Sequence, residues 1–178
     1  MKITLIGIDP GIIDSGIVAI RLDFSTMSWS VRSEVWTNVT YRSERVSYTQ
    51  PWFLDALKRF IAQEKELAQQ VHVGVENFRA RGRDQRQDEK MRNLIQDIVR
   101  ATGAKNVDNT GIKKIVKEAT MRLFRVTRFP SSDNHADRKS AARVALRLGI
   151  EDPVLNRYLS MFMYDMLYTE DPWQYVST

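Results

Sequence analysis

Apolar residues follow two different periods along this chain. From Ile3 to Ile8 (ITLIGI) the run is nearly all apolar and largely β-branched, as in a strand buried on both faces. Second and third strands are predicted over 16–24 (GIVAIRLDF) and 29–38 (WSVRSEVWTN), joined by short turns as an antiparallel meander. Residues 39–49 are polar and Ser/Thr/Tyr-rich and read as loop. Helical spacing then takes over in 51–70, where Phe53, Leu54, Leu57, Ile61 and Leu67 recur behind Pro51, a residue suited to a first helical turn. Alternation returns in VHVGVENF (71–78), with Val71, Val73 and Val75 on one face and His72, Gly74 and Glu76 on the other. A helix over 85–102 collects Met91, Leu94, Ile95 and Ile98 on one side, and Gly103 supplies its stop. Further helices are predicted over 110–124, 131–148 and 153–168. The second has N-cap candidates in Ser131, Ser132 and Asp133, and the last is rich in Met and aromatics. Three strands, then helix, strand and helices, predict an α/β domain on a mixed sheet, spanning 1–178 as one unit.

Composition narrows the chemistry. A chain of 178 residues can bury roughly two-thirds of its unfolded surface without a covalent staple. It has no cysteine, which excludes disulfides and thiolate metal sites, and only two histidines, His72 and His135. Any metal site must therefore rest mainly on carboxylates. No apolar run approaches the ~20 residues that span a bilayer. The first residues match a core strand better than a signal peptide, so the expectation is a soluble, cytoplasmic protein. A net charge of +5 and a pI near 9.6 favour a polyanionic partner.

Three carboxylates stand out. Asp9 ends the first apolar strand just before Pro10 and Gly11. Proline holds the preceding residue extended, which fixes the side chain's direction. Taken alone, Asp9 is equally a turn residue. Glu76 closes a valine-rich strand, where a carboxylate is costly unless paired or metal-bound, and Gly74 leaves room beside it. Asp137 opens a helix whose face continues with Ala141 and Val144, residues small enough for close packing on a sheet; by itself it is also a plain first-turn acid. Brought together, the three would repel one another unless divalent cations compensated them, and oxygen-only ligation suits Mg²⁺ or Mn²⁺.

These segments carry a resemblance. GIDPGIIDSGIVAI resembles the first motif of RuvC-type Holliday-junction resolvases, VGVENF their second, and HADRKSAARVAL their last; TGIKKIVKEA resembles the lysine-containing segment before it. The match runs from about residue 3 to residue 148 and is closest in flavour to divergent phage and prophage members. The resemblance implies a ribonuclease H-like fold, with a five-stranded mixed sheet, three strands antiparallel and then parallel ones, flanked by helices. It implies a metal-dependent endonuclease that cuts branched DNA such as four-way junctions, using two Mg²⁺ (or Mn²⁺) ions and in-line attack by metal-activated water. It also implies a homodimer. The carried-over acids are Asp9, Glu76 and Asp137, as catalytic groups and metal ligands. The family's last motif has two acids three residues apart. Here that spacing gives Asp137 with Ser140, or Asn134 with Asp137, so the fourth ligand is left to His135, Asp133 or Ser140.

Basic residues cluster after the second motif: Arg79, Arg81, Arg83, Arg86 and Arg92, with Phe78 as a stacking candidate. Lys113, Lys114 and Lys117 form a second group at helical spacing. Such charge neutralises phosphates beside a scissile bond. The missing fourth acid motivates an alternative, a catalytically weak or inactive branched-DNA-binding protein of the same fold. A sugar-kinase-like enzyme ranks last, because the chain is short and lacks Gly-rich phosphate loops.

Overall fold

The computed structural model of the chain describes all residues except 44–45, 78–84, 128–134, 171 and 178, and describes the backbone alone at 42, 43, 46, 47 and 135. Three strands open it: β1 (Lys2–Asp9), β2 (Ser15–Asp23) and β3 (Ser28–Trp36). A hairpin follows, β4 (Thr40–Ser43) and β5 (Val46–Thr49), then α1 (Pro51–Leu67), β6 (Gln70–Asn77), α2 (Gln85–Thr102) and β7 (Lys105–Asp108). The short helices α3 (Ile112–Ile115) and α4 (Glu118–Leu123) lead to α5 (His135–Glu151), α6 (Pro153–Tyr168) and the two-residue β8 (Gln174–Tyr175).

The main sheet has the order β7-β6-β1-β2-β3-β8. β1, β2 and β3 are antiparallel, while β6 runs parallel to β1 and β7 parallel to β6. This is the ribonuclease H-like sheet of five strands, with β8 added beside β3 as a sixth. β1 is central, so its apolar run is buried on both faces. Ile6, Ile8, Ile17 and Ala19 face α1 and α2, and Ile3, Leu5, Val18 and Ile20 face α5 and α6.

Two local expectations are corrected, and two further features were not foreseen. Residues 40–49 form a hairpin rather than a loop, with the exposed rings of Tyr41 and Tyr48 stacked 5.5 Å apart across it. β7 was not foreseen, because in KNVD only Val107 is buried. The helix expected over 110–124 breaks into two, since Val116 turns into the core and Lys117 is extended (φ −68°, ψ 156°). The Met/aromatic stripe of α6 divides. Leu155, Leu159 and Phe162 join the core, with Phe162 against Trp29, Phe124 and Trp173, whereas Met161, Tyr164, Leu167 and Tyr168 are exposed.

Two glycines set how closely α5 lies on the sheet. A Cβ on Gly7 would run into the Ala141 carbonyl oxygen and lie 2.5 Å from the Ala145 amide nitrogen. A Cβ on Gly16 would strike the Asp137 carbonyl, with the Arg138 nitrogen 3.0 Å away. Backbone thus packs on backbone at the end of α5 that carries Asp137. Ala141, Ala142 and Ala145 keep the rest of that helix low over the sheet, and all three are fully buried.

On the other face, Glu64 of α1 is completely buried and accepts two hydrogen bonds from the Arg21 guanidinium, at 2.6 and 2.5 Å. Arg32 lies over the Phe60 ring, 4.3 Å from its centre, with its Nη1 3.6 Å from Glu64. This ion cluster ties α1 to β2 and β3, away from the acids of the opposite face. No helix among the described residues is long and apolar enough to cross a membrane.

Candidate active site

The three parallel strands end together. β1 finishes on Asp9, β6 carries Glu76 one residue from its end, and β7 finishes on Asp108 with Asn109 just beyond. Carboxyl ends of parallel strands are where α/β sheets place ligand chemistry. The parallel register pairs Ile8 with Val75, which sets Asp9 beside Glu76 at the next step. Side chains alternate along each strand, so Asp9 shares the α5-facing side with Gly7, and Glu76 shares it with Gly74, whose neighbours are Val144 and Leu148. The first turns of α5 add Asp137 and Ser140 from above.

Asp9 and Glu76 lie within hydrogen-bond reach of each other. Burial pushes the Asp9 carboxyl up from its ordinary 3.8 to about 9. The hydrogen bond to Glu76, the Glu76 charge and the Asp137 charge push the same way, and a hydrogen bond from Ser140 opposes them. With no cation present, Asp9 therefore keeps its proton at neutral pH. Asp137 is also raised, first by burial and then by the charge of Asp14. Asn109 Nδ2 donates to Glu76 Oε1 at 2.7 Å and fixes one carboxylate oxygen.

The turn after Asp9 explains how a strand can end on an acid. Gly11 is needed because a Cβ there would meet the Asp14 carbonyl. Ser15 Oγ accepts from the Gly11 amide at 3.2 Å, and Thr40 Oγ1 donates to the Ile12 carbonyl at 2.6 Å. The loop is pinned on both sides, and Asp14 comes back towards Asp137.

The donor set consists of oxygens, and a half-buried, mutually repelling carboxylate pair is one that a hard divalent cation would relieve. In that sense the residues fit Mg²⁺ or Mn²⁺, with Asp9 and Glu76 as the centre of the seat. Among the described residues, however, no three His, Asp or Glu side chains converge closely enough to hold one metal ion. Asp137 thus reaches the pair through its field and does not close a three-acid cage.

A groove of about 380 Å³ opens from Glu76, lined by Asn109, Gly111, Ile112, Lys113, Lys114, Ser140 and Arg143. Two of the expected lysines line it. Lys117 is exposed at the N-cap of α4 and is not one of the lining residues. Arg86 and Arg92 are exposed along α2, and Arg92 Nε donates to the Asp88 carbonyl at 3.3 Å. Phe78, Arg79, Arg81, Arg83 and Asp133 lie outside the described residues, as does the side chain of His135. Of the proposed fourth ligands, Ser140 is the one seen at the site, bonded to Asp9. Sequence reasoning missed Asp14, Asn109 and Arg143. Asp14 had a signal, as the second acid of the DPGIID turn; Asn109 had none, because only β7 brings it to Glu76.

The fold is ribonuclease H-like. Two solved structures of RuvC from Thermus thermophilus share this fold. One, in complex with a Holliday junction substrate, superposes with a TM-score of 0.53 at 15% identity over 83% of this chain and 91% of that one. The other superposes at 0.51 and 14% identity over 90% and 97%. No protein-family model matches the sequence. No curated protein matches it either.

Proposed function

We propose that this protein is a divalent-metal-dependent endonuclease that cuts branched DNA, four-way junctions in particular, with the whole chain serving as one nuclease domain. The observation that carries the reading is the Asp9–Glu76 pair at the ends of adjacent parallel strands, under the field of Asp137, in a chain with the RuvC fold. Asp9 and Glu76 would hold the cations, with Asp137 adding its negative charge from α5; when bound, the cations activate water and stabilise the leaving oxygen of a phosphodiester. The chain's own residues do the rest. Asn109 orients Glu76, Ser140 holds Asp9, and Lys113 and Lys114 offer positive charge to the strand lying in the groove. A homodimer fits this activity, because two symmetric cuts need two sites.

The test is cleavage of a synthetic four-way junction in Mg²⁺ and in Mn²⁺. Asp9→Asn should abolish cutting and leave junction binding largely intact; cutting by that variant at the unsubstituted rate in Mg²⁺ overturns the assignment.

One observation favours a second reading. Ser140 stands where the family pattern would put another acid, and its hydroxyl bonds Asp9 without adding charge for a metal. A junction-binding protein without nuclease activity is then expected, and binding with no cleavage in either metal would establish it.

A further inference from the structure

Helix α5 carries a second polar cluster beside the acids. One turn past Ser140 is Arg143, which lines the same groove as Glu76. Lys139, one turn before Arg143, lies on the same flank. Between them sits a single carboxylate, Glu118, in the first turn of α4. Lys139 Nζ is 3.0 Å from Glu118 Oε1, and Arg143 Nη2 donates to Glu118 Oε2 at 3.3 Å. Each carboxylate oxygen takes one cation. The hydrogen bond from Lys139, followed by the charges of Lys139, Arg143 and Arg122, keeps Glu118 firmly ionised.

The exposures are ordered. The Arg143 side chain is 13% exposed, Lys139 30% and Glu118 44%, so the carboxylate covers two cations more sheltered than itself. The guanidinium is also underused, since Arg143 Nε is buried and has no hydrogen-bond partner among the described residues. An arginine fork with a lysine beside it suits the two non-bridging oxygens of a phosphodiester as well as it suits the carboxylate now there. An exposed carboxylate in an ion pair is weakly held, so a phosphate can displace it at little cost.

We propose that Lys139 and Arg143 form a seat for a backbone phosphate of the DNA strand in the groove, and that Glu118 occupies this seat until the DNA displaces it. The inference rests on the nuclease reading for its ligand and adds a binding residue pair and an internal competitor. Glu118 thereby sets the affinity threshold, and substrates that fail to lay a phosphate across α5 are held less tightly.

The experiment measures binding of the full chain to a four-way junction and to linear duplex of equal length, without divalent metal, over a salt series. Glu118→Gln removes the competitor and should tighten junction binding about two- to fivefold. Lys139→Ala and Arg143→Ala should each weaken it and lower the slope of log K against log salt by about one. Thermal melts accompany each variant, and Lys139→Ala carries the test if the more sheltered Arg143 variant folds poorly. If Glu118 only pins α4 to α5, Glu118→Gln will lower the melting temperature and leave binding unchanged or weaker, which overturns the proposal. Asp9-dependent cleavage with unaltered Glu118→Gln binding sinks the seat and keeps the nuclease. Tighter Glu118→Gln binding without any cleavage keeps the seat and sinks the nuclease. A chain that binds neither DNA sinks both.

Discussion

Asp9 and Glu76 stand side by side at the ends of two parallel strands, close enough to hydrogen-bond. A half-buried acid beside another carboxylate works against the fold whenever it ionises. The Asp9 carboxyl is raised from 3.8 to about 9, so the protonated native state binds more protons than the unfolded chain across that interval. Its stabilising contribution is complete below 3.8 and is lost as pH rises towards about 9. In chelator, melting temperatures of the unsubstituted protein should fall between pH 5 and 9 relative to Asp9→Asn. Added Mg²⁺ should raise the melting temperature of the unsubstituted protein at pH 8 and leave Asp9→Asn nearly unmoved. Parallel pH curves for the two proteins in chelator would remove the coupling.

Ser140 pulls the other way. Its hydrogen bond favours the ionised form of Asp9, against burial and two neighbouring acids. Ser140→Ala should therefore raise the Asp9 carboxyl further and shift the acidic limb of the pH–rate profile of junction cleavage towards higher pH, with junction affinity unchanged. Ser140→Asp tests the register of the last motif. If position 140 belongs to the metal seat, the added acid should lower the Mg²⁺ concentration needed for half-maximal cleavage. An unmoved pH profile in the first variant and unchanged metal demand in the second would mean that Ser140 has no part in the chemistry.

Much of this arrangement could be read from local patterns. The apolar periods located β1, β2, β3, β6 and the long helices to within a few residues, because burial on one or two faces writes a regular signal into the chain. Asp9 and Glu76 were legible for the opposite reason, as acids that interrupt an apolar strand at its end. β7 and the β4–β5 hairpin were not legible. In KNVD only Val107 enters the core, and the hairpin's pairing is carried by backbone groups of polar residues. Asn109 and the Lys139–Glu118–Arg143 cluster were hidden because their partners are distant in sequence, 33 residues for Asn109 and Glu76 and 25 for Glu118 and Arg143. No local rule anticipates contacts that only the closed fold creates.

The seating of α5 makes a steric prediction. Gly7→Ala would drive a methyl group into the Ala141 carbonyl, and neither backbone segment can yield without moving the helix that carries Asp137 and Ser140. Overpacking of this kind costs about 1–3 kcal/mol, and here it also displaces the acids. The expected result is a lower denaturation midpoint with cleavage lost by a larger factor than stability explains. Gly103→Ala is the control. It sits at φ +70° with open space around it, so it should cost about 1 kcal/mol of backbone strain and leave cleavage unchanged. Equal effects of the two substitutions on activity would show that close approach at Gly7 does not position the site.

Glu64 separates stability from chemistry. It is fully buried, bonded twice by Arg21 and approached by Arg32, and it lies on the sheet face opposite Asp9 and Glu76. Removing one member of a buried ion pair leaves its partner's charge poorly compensated. Because Arg21 is partly exposed, water recovers some of that loss, and Glu64→Ala should destabilise by on the order of 3 kcal/mol. Replacing Arg21 and Glu64 together, by Met and Leu, should recover much of it, since burying an ion pair gains little over a well-packed apolar pair. Below its melting temperature, Glu64→Ala should bind and cut a four-way junction at the unsubstituted rate, and urea denaturation beside a cleavage assay reads both quantities. A variant that kept its stability but lost cleavage would show that α1 and the second face of the sheet reach the acids through β2, and the division of labour between the two faces would have to be abandoned.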